Sequence, residues 1–187
     1  MTTLEKLPYE LIENISDNLN IMEIYNLSEV LVNLKSSLSY KRIANNTNWF
    51  LISIKPDLSE DFMREFQDKV DWVEISYYSN LSEDFMREFQ DKVDWDHILW
   101  GQKLSEDFIR EFEDKIDYEE LSYEQKISED FIREFENKLN WEYISEFQKL
   151  SEDFIREFDN ELNWEYVLEY QNLSGDLLIE FQNKVVM

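Results

Sequence analysis

Leu58–Asn80 reads LSEDFMREFQDKVDWVEISYYSN, and the same pattern then returns. It restarts at Leu81, Leu104, Ile127 and Leu150, always 23 residues on. A sixth, truncated copy from Leu173 stops at Met187. A fixed period of this length marks a stacked repeat array. It predicts an all-α fold, a short α-solenoid of helix-pair repeats, and it points to a binding scaffold rather than an enzyme.

With Leu58 as position 1, position 2 is Ser in every copy: Ser59, Ser82, Ser105, Ser128, Ser151 and Ser174. Two acidic residues follow in each full copy, such as Glu60 and Asp61. A Ser ahead of an acidic first turn is a helix N-cap, because its hydroxyl accepts an orphan N–H and the carboxylates sit at the positive end of the dipole. Leu58, before the cap, is placed to staple onto Met63. Phe62, Phe66 and Val70 continue as an i, i+4, i+8 stripe. Glu60 with Arg64, and Glu65 with Lys69, stand at i, i+4 on the solvated side.

Position 14 is Asp or Asn (Asp71, Asp94, Asp117, Asn140, Asn163), a second cap. Trp or Tyr follows, with an aliphatic residue three further on, as in Trp72 with Ile75. Each repeat therefore reads as helix, tight corner, shorter helix. Neither helix is stable alone at this length, so stacking must bury the Phe, Val, Trp and Ile set between neighbours.

The chain of 187 residues carries a net charge of −25. Residues 1–57 hold five Lys/Arg against seven Asp/Glu, and residues 58–187 hold thirteen against thirty-six. So acidic an array repels phosphate backbones, so no nucleic-acid partner is expected. The acid either keeps the array soluble or faces a basic partner. There is no Cys, hence no disulfide and no Cys-ligated zinc. No apolar run is long enough to span a bilayer, and MTTLEKLPYE lacks a signal-peptide core. The expectation is an intracellular protein with no membrane partner.

No catalytic, cofactor-binding or metal-ligating residue is expected. The only His, His97, has no companion at metal-ligand spacing. The carboxylates recur at one phase of each full copy, as caps and solvated helix surface do. No phosphate loop, dinucleotide fingerprint or nucleophile elbow is present.

The positions that change inside the fixed frame carry more information. Positions 17, 20 and 21 share one face of the second helix. There stand Tyr77, Tyr78, His97, Trp100, Tyr123, Tyr143, Phe147, Tyr166 and Tyr170, interspersed with Glu. Such aromatics supply contact area at low entropic cost, so the face is the candidate partner-binding surface of the array. The bland alternative is drift, or aromatic packing between helices. In the sixth copy, Gly175 replaces the first-turn Glu and Ile179 the Arg. Leu177, Leu178, Ile179, Val185 and Val186 make an apolar end, through which a homodimer is one expectation.

Residues 1–57 form a different module. Leu7, Pro8, Glu10, Leu11, Ile15, Leu19, Ile24, Leu27, Val30 and Trp49 follow the pattern LPxEL…I…L…I…L…V…W. Over residues 4–52 this resembles an F-box. The usual basic-plus-Trp element after the central Val is replaced by Leu31-Val32-Asn33-Leu34-Lys35. The resemblance implies that Leu7, Pro8, Leu11, Ile15, Ile24 and Leu27 present an apolar surface to a Skp-type linker of a host cullin ubiquitin ligase. The array would then hold an unknown target. The alternative is a structural or decoy repeat protein in which this module serves only as a solenoid cap. The array in residues 58–187 resembles the LSEDFxREFxDKVDW arrays in proteins of large DNA viruses of amoebae, which implies the host cytoplasm. Trp49 lies one period before Trp72, Asn48 aligns with Asp71 and Ile52 with Ile75. The last helix of the first module is thus in phase with a repeat, and is expected to pack directly on the first full copy.

Overall fold

The structure, a computed structural model, describes residues 19–23 and 47–185. Among these the regular structure is entirely helical, a short helical repeat solenoid. The chain divides into two compact units, Met1–Asp71 and Trp72–Met187.

In the first unit a helical turn starts at Ile21. The Asn20 side chain accepts the Met22 and Glu23 N–H groups, and the Glu23 carboxylate accepts the Asn20 N–H. That reciprocal pair is a capping box. Helix α1 (Trp49–Ser53) is capped by Asn48, which accepts the Leu51 N–H, and α2 (Glu60–Glu65) by Ser59, which accepts the Phe62 N–H. The Trp49 ring lies 4.9 Å from Phe66. Buried Ser53 donates to the Trp49 carbonyl and accepts the Asp71 N–H at 2.8 Å. α1 therefore packs on the opening helix of the first full copy, built as a repeat's second helix is built.

In the second unit the opening helices are α4 (Glu83–Glu88), α6 (Glu106–Glu111), α8 (Glu129–Glu134), α10 (Glu152–Glu157) and α12 (Gly175–Glu180). The second helices are α3 (Trp72–Tyr78), α5 (Trp95–Gly101), α7 (Tyr118–Glu124), α9 (Trp141–Phe147) and α11 (Trp164–Tyr170). A four-residue helix, α13 (Gln182–Val185), follows α12. Successive second helices stack on one another, from α3 through α11. Phe85, Phe108, Phe131 and Phe154 are fully buried, as are Ile75, Ile98, Leu121, Ile144 and Val167. The aromatic at position 15 stacks on position 9 of the following copy: Trp72 on Phe89, Trp95 on Phe112, Trp141 on Phe158, with centroids 4.8 to 4.9 Å apart.

The opening helix is shorter than its stripe suggests. It has six residues and the second helix seven, reversing the expected order. The stripe runs on through a turn in which Lys92 and Val93 N–H both bond the Phe89 carbonyl. Carbonyls released by the early stop find other donors: the Gln90 carbonyl accepts the Trp95 indole N–H at 3.1 Å and the Lys115 amine of the next copy. The same indole bond joins Trp141 to Glu136 and Trp164 to Asp159. Position 15 thus helps to end the helix before it.

Three further sets of bonds tie copy to copy. Ser76, Ser122 and Ser145 each accept the N–H of the next copy's cap residue, Asp94, Asn140 and Asn163, at 2.9 to 3.0 Å. Gln102, Gln125, Gln148 and Gln171 reach back with their amides to one carbonyl in the preceding second helix and one just past its end, and accept the N–H that opens their own copy. On the opening helices Arg87 pairs with Asp84 at 2.9 Å and with Glu111 of the next copy at 2.8 Å, and its guanidinium covers the Phe108 ring. Arg110, Arg133 and Arg156 repeat this with Glu134, Glu157 and Glu180.

Candidate protein-recognition face

The second helices present the variable positions. Their caps explain how: Asp94, Asp117, Asn140 and Asn163 fix each helix start by accepting first-turn N–H groups. Position 18 is then locked into the core, which leaves positions 17, 20 and 21 turned away from it. Tyr77, Tyr78, Trp100, Tyr123 and Tyr170 are exposed, Trp100 by 45% and Tyr170 by 50%. His97, Tyr143, Phe147 and Tyr166 are half-buried.

The face is ordered across copy boundaries. Position 20 of one copy meets position 17 of the next. Tyr77 lies 6.2 Å from the His97 ring, the Trp100 indole N–H donates to the Glu120 carboxylate at 2.9 Å, and Tyr123 lies 5.8 Å from Tyr143. Glu146 acts electrostatically on Tyr166. Rings also cluster within a copy and around these contacts: Tyr77 on Tyr78, His97 on Trp100, Tyr123 on Phe147, Tyr166 on Tyr170. The aromatics therefore do pack between helices, and they keep exposed surface while doing so.

Gly101 makes a notch in this face. A Cβ there would fall 2.8 Å from the Tyr77 Cα, so α5 approaches α3 more closely than any side chain allows. A depression of about 450 Å³ opens beside it, lined by Trp100, Gly101, Leu104 and Glu124 with Lys103 and Lys126.

The charge around the rings is acidic. The second helices contain no Lys or Arg. Partial burial, with Glu120 one turn away, pushes the Glu124 carboxyl above its ordinary range. The charge of Glu142 and its hydrogen bond push the Tyr166 phenol up, and the hydrogen bond with Glu169 does the same to Tyr170. His97 faces its own helix cap: its Nδ1 lies 2.8 Å from the Asp94 carboxylate. Partial burial opposes ionisation of Asp94, but bonds from the His97 ring and backbone outweigh it and hold the carboxyl low. Among the described residues no cluster of His, Cys, Asp or Glu is placed to hold a metal ion. None of the described helices is long and apolar enough to cross a membrane.

Leu7, Pro8, Leu11, Ile15, Ile24 and Leu27, the linker-binding residues implied by the F-box resemblance, lie outside the described residues. At the sixth copy Leu177 is buried, whereas Leu178 and Ile179 are exposed, Ile179 by 69%. Val186 lies outside the described residues, and so does the side chain of Val185. The chain matches no family model, no curated protein and no solved structure.

Proposed function

We propose that this protein is a non-enzymatic protein–protein interaction scaffold whose receptor surface is the second-helix face. One observation carries the reading: the core and the bonds between copies recur with few exceptions, while the residues turned outward change from copy to copy and are aromatic residues interspersed with Glu. A fixed frame with a varied, ring-rich face is how a repeat array acquires a partner without altering its fold. A photo-crosslinking residue at Tyr123, compared with one at exposed Asp107 on an opening helix, tests it in cells. Specific partner adducts are expected from the Tyr123 site alone. Equal or absent adducts at both sites contradict it.

In the fuller form of this reading the protein is a substrate adaptor in the host cytoplasm. Leu7, Pro8, Leu11, Ile15, Ile24 and Leu27 engage a Skp-type linker of a cullin ubiquitin ligase, and the array holds the target. Calorimetry of the full chain against a eukaryotic Skp-type linker tests this. Binding that is lost when Leu7 and Pro8 are both changed to Ala supports it, and no binding by the unaltered chain removes it.

A second reading has its own support. α1 is capped by Asn48, stacks Trp49 on Phe66 and bonds Ser53 to Asp71, as the second helix of a repeat does. That construction favours a structural or decoy repeat protein in which the N-terminal module is a solenoid cap. The exposed Leu178 and Ile179 also suit self-association through the C-terminal end; sedimentation as a monomer at high micromolar concentration removes that idea.

A further inference from the structure

The two helix layers handle charge in opposite ways. On the opening helices of the second unit Arg87, Arg110, Arg133 and Arg156 each draw together carboxylates of their own copy and of the next, so much of that acid is internally compensated. On α5, α7, α9 and α11 no carboxylate enters an ion pair among the described residues. Glu124, Glu146 and Glu169 even stand in the last turn of their helices, where the dipole is negative and a cation is the stabilising choice. Local helix rules are thus broken in the same turn of three successive copies, beside exposed rings.

Ring and carboxylate are paired across that layer. Glu120 is held against the Trp100 indole, Glu124 lines the notch that Gly101 opens beside Trp100, and the carboxylates of Glu142 and Glu169 act on the phenols of Tyr166 and Tyr170. Lys103 and Lys126 also line the notch, but neither forms an ion pair with Glu120 or Glu124 among the described residues, and the Lys126 amine donates to the Phe147 carbonyl at 2.6 Å. An exposed aromatic face next to an uncompensated carboxylate complements a guanidinium, which stacks on the ring while its N–H fork meets the acid.

We propose that the second-helix face takes an extended, arginine-bearing segment of a partner protein, one guanidinium per copy, with the Trp100–Gly101–Glu120–Glu124 notch as its anchor. The proposal rests on the scaffold reading above. The spacing follows from packing. Stacked helices lie about 8–10 Å apart, and a chain in the polyproline II conformation advances about 3.1 Å per residue with about three residues per turn. Arginine at every third position therefore keeps both the spacing of the copies and a single face toward the array.

The test uses the full-length protein and synthetic peptides read by fluorescence anisotropy. The probes are a peptide with arginine at every third position, a peptide of the same composition with its arginines contiguous, and spermine as competitor. Register binding is expected to favour the spaced peptide by about tenfold, to weaken with salt between about 50 and about 300 mM as exposed ion pairs do, and to resist spermine. Trp100→Ala and the double variant Glu120→Gln/Glu124→Gln are expected to weaken it about tenfold or more. Asp107→Asn, which removes a charge from an opening helix, is expected to leave it unchanged, and circular dichroism checks that each variant is folded. Equal affinity for both peptides, or equal loss with Asp107→Asn, reduces the effect to bulk charge and overturns the proposal. No binding of either peptide overturns it as well, while a Tyr123-specific adduct in the crosslinking experiment would leave the scaffold reading standing.

Discussion

The indole N–H of Trp100 donates to the carboxylate of Glu120 at 2.9 Å, joining position 20 of one copy to position 17 of the next. Both belong to the variable set, and the same step joins Tyr77 to His97 and Tyr123 to Tyr143. The variable residues are therefore chosen in pairs across copy boundaries, not singly. Rings held this way lose less conformational freedom when a partner arrives, which is how a surface made of side chains becomes pre-organised.

The two glycines should answer the same substitution with opposite signs. At Gly101 an added methyl meets the backbone of Tyr77, which cannot swing aside. Gly101→Ala is expected to cost about 1–3 kcal/mol as overpacking, despite Ala being the better helix former. At Gly175, the first residue of α12, nothing lies within 4 Å of the new methyl. Gly175→Ala is expected to stabilise by about 0.4–1 kcal/mol through the unfolded chain. Urea midpoints of the two variants decide both.

Gln125 is the test of the ladder between copies. Its amide donates to the Leu99 and Gln102 carbonyls at 2.6 and 2.8 Å in a buried setting, and its carbonyl accepts the part-buried Leu104 N–H at 3.2 Å. Gln125→Ala strands those three backbone groups. The expected loss is about 2–4 kcal/mol, since buried groups left without partners cost more than the bonds themselves contribute. In so linear a fold the loss should appear first as protease sensitivity near residues 99–104, which limited proteolysis reads.

What was legible in the sequence was whatever is local. Ser59, Ser82 and their counterparts announce helix starts because a cap and its N–H are three residues apart. Phe85 and Ile98 announce the core because they recur in phase. The bonds that Gln125 and Ser122 make between copies and across their own copy span 18 to 26 residues, so no local pattern contains them. The persistence of Gln at position 22 was nevertheless visible, from Gln102 to Gln171, and an amide kept in a fixed phase on an otherwise variable helix end is the signal that could have been used. The aromatic face was legible as a set of residues but not as a ladder, because the offset from position 20 to position 17 depends on how neighbouring helices slide past each other. The shortness of the opening helix was hidden because its apolar stripe continues through the turn.

Tyr118 is the one place in the second unit where Tyr replaces the Trp of position 15. Its hydroxyl is buried without a hydrogen-bond partner, while its ring stacks on Phe135 at 5.3 Å and lies under the Lys138 amine. Tyr118→Phe keeps the ring and removes the stranded group, so a gain of about 1 kcal/mol is expected. Burial, with the charges of Glu113 and Glu134, pushes the phenol up to about 12. A group with a raised folded pKa contributes fully below its unfolded value, about 10 for Tyr, and loses that contribution as pH rises through the folded value. The wild type should therefore lose stability between about pH 10 and 12 relative to Tyr118→Phe. The difference between the two denaturation curves across that window is the measurement.

Glu124 offers the sharpest separation of stability from binding. Partial burial and the repulsion of Glu120 raise its pKa in the folded chain. A carboxyl with a raised folded pKa contributes fully only below its unfolded value, about 4.3, and that contribution is lost as pH climbs through the folded value. Ionised Glu124 is thus a net cost at pH 7, increased by its place in the last turn of α7. Glu124→Gln is expected to stabilise the protein by a few tenths of a kcal/mol at neutral pH, the size of a like-charge i, i+4 contact, and by nothing at about pH 4. The same substitution is expected to weaken the arginine peptide severalfold. Opposite signs for folding and binding would mean that this carboxylate is kept for what it meets outside the chain. A neutral or destabilising result in urea at pH 7 would mean that the charge serves the fold, and the case for the notch would lose its electrostatic half.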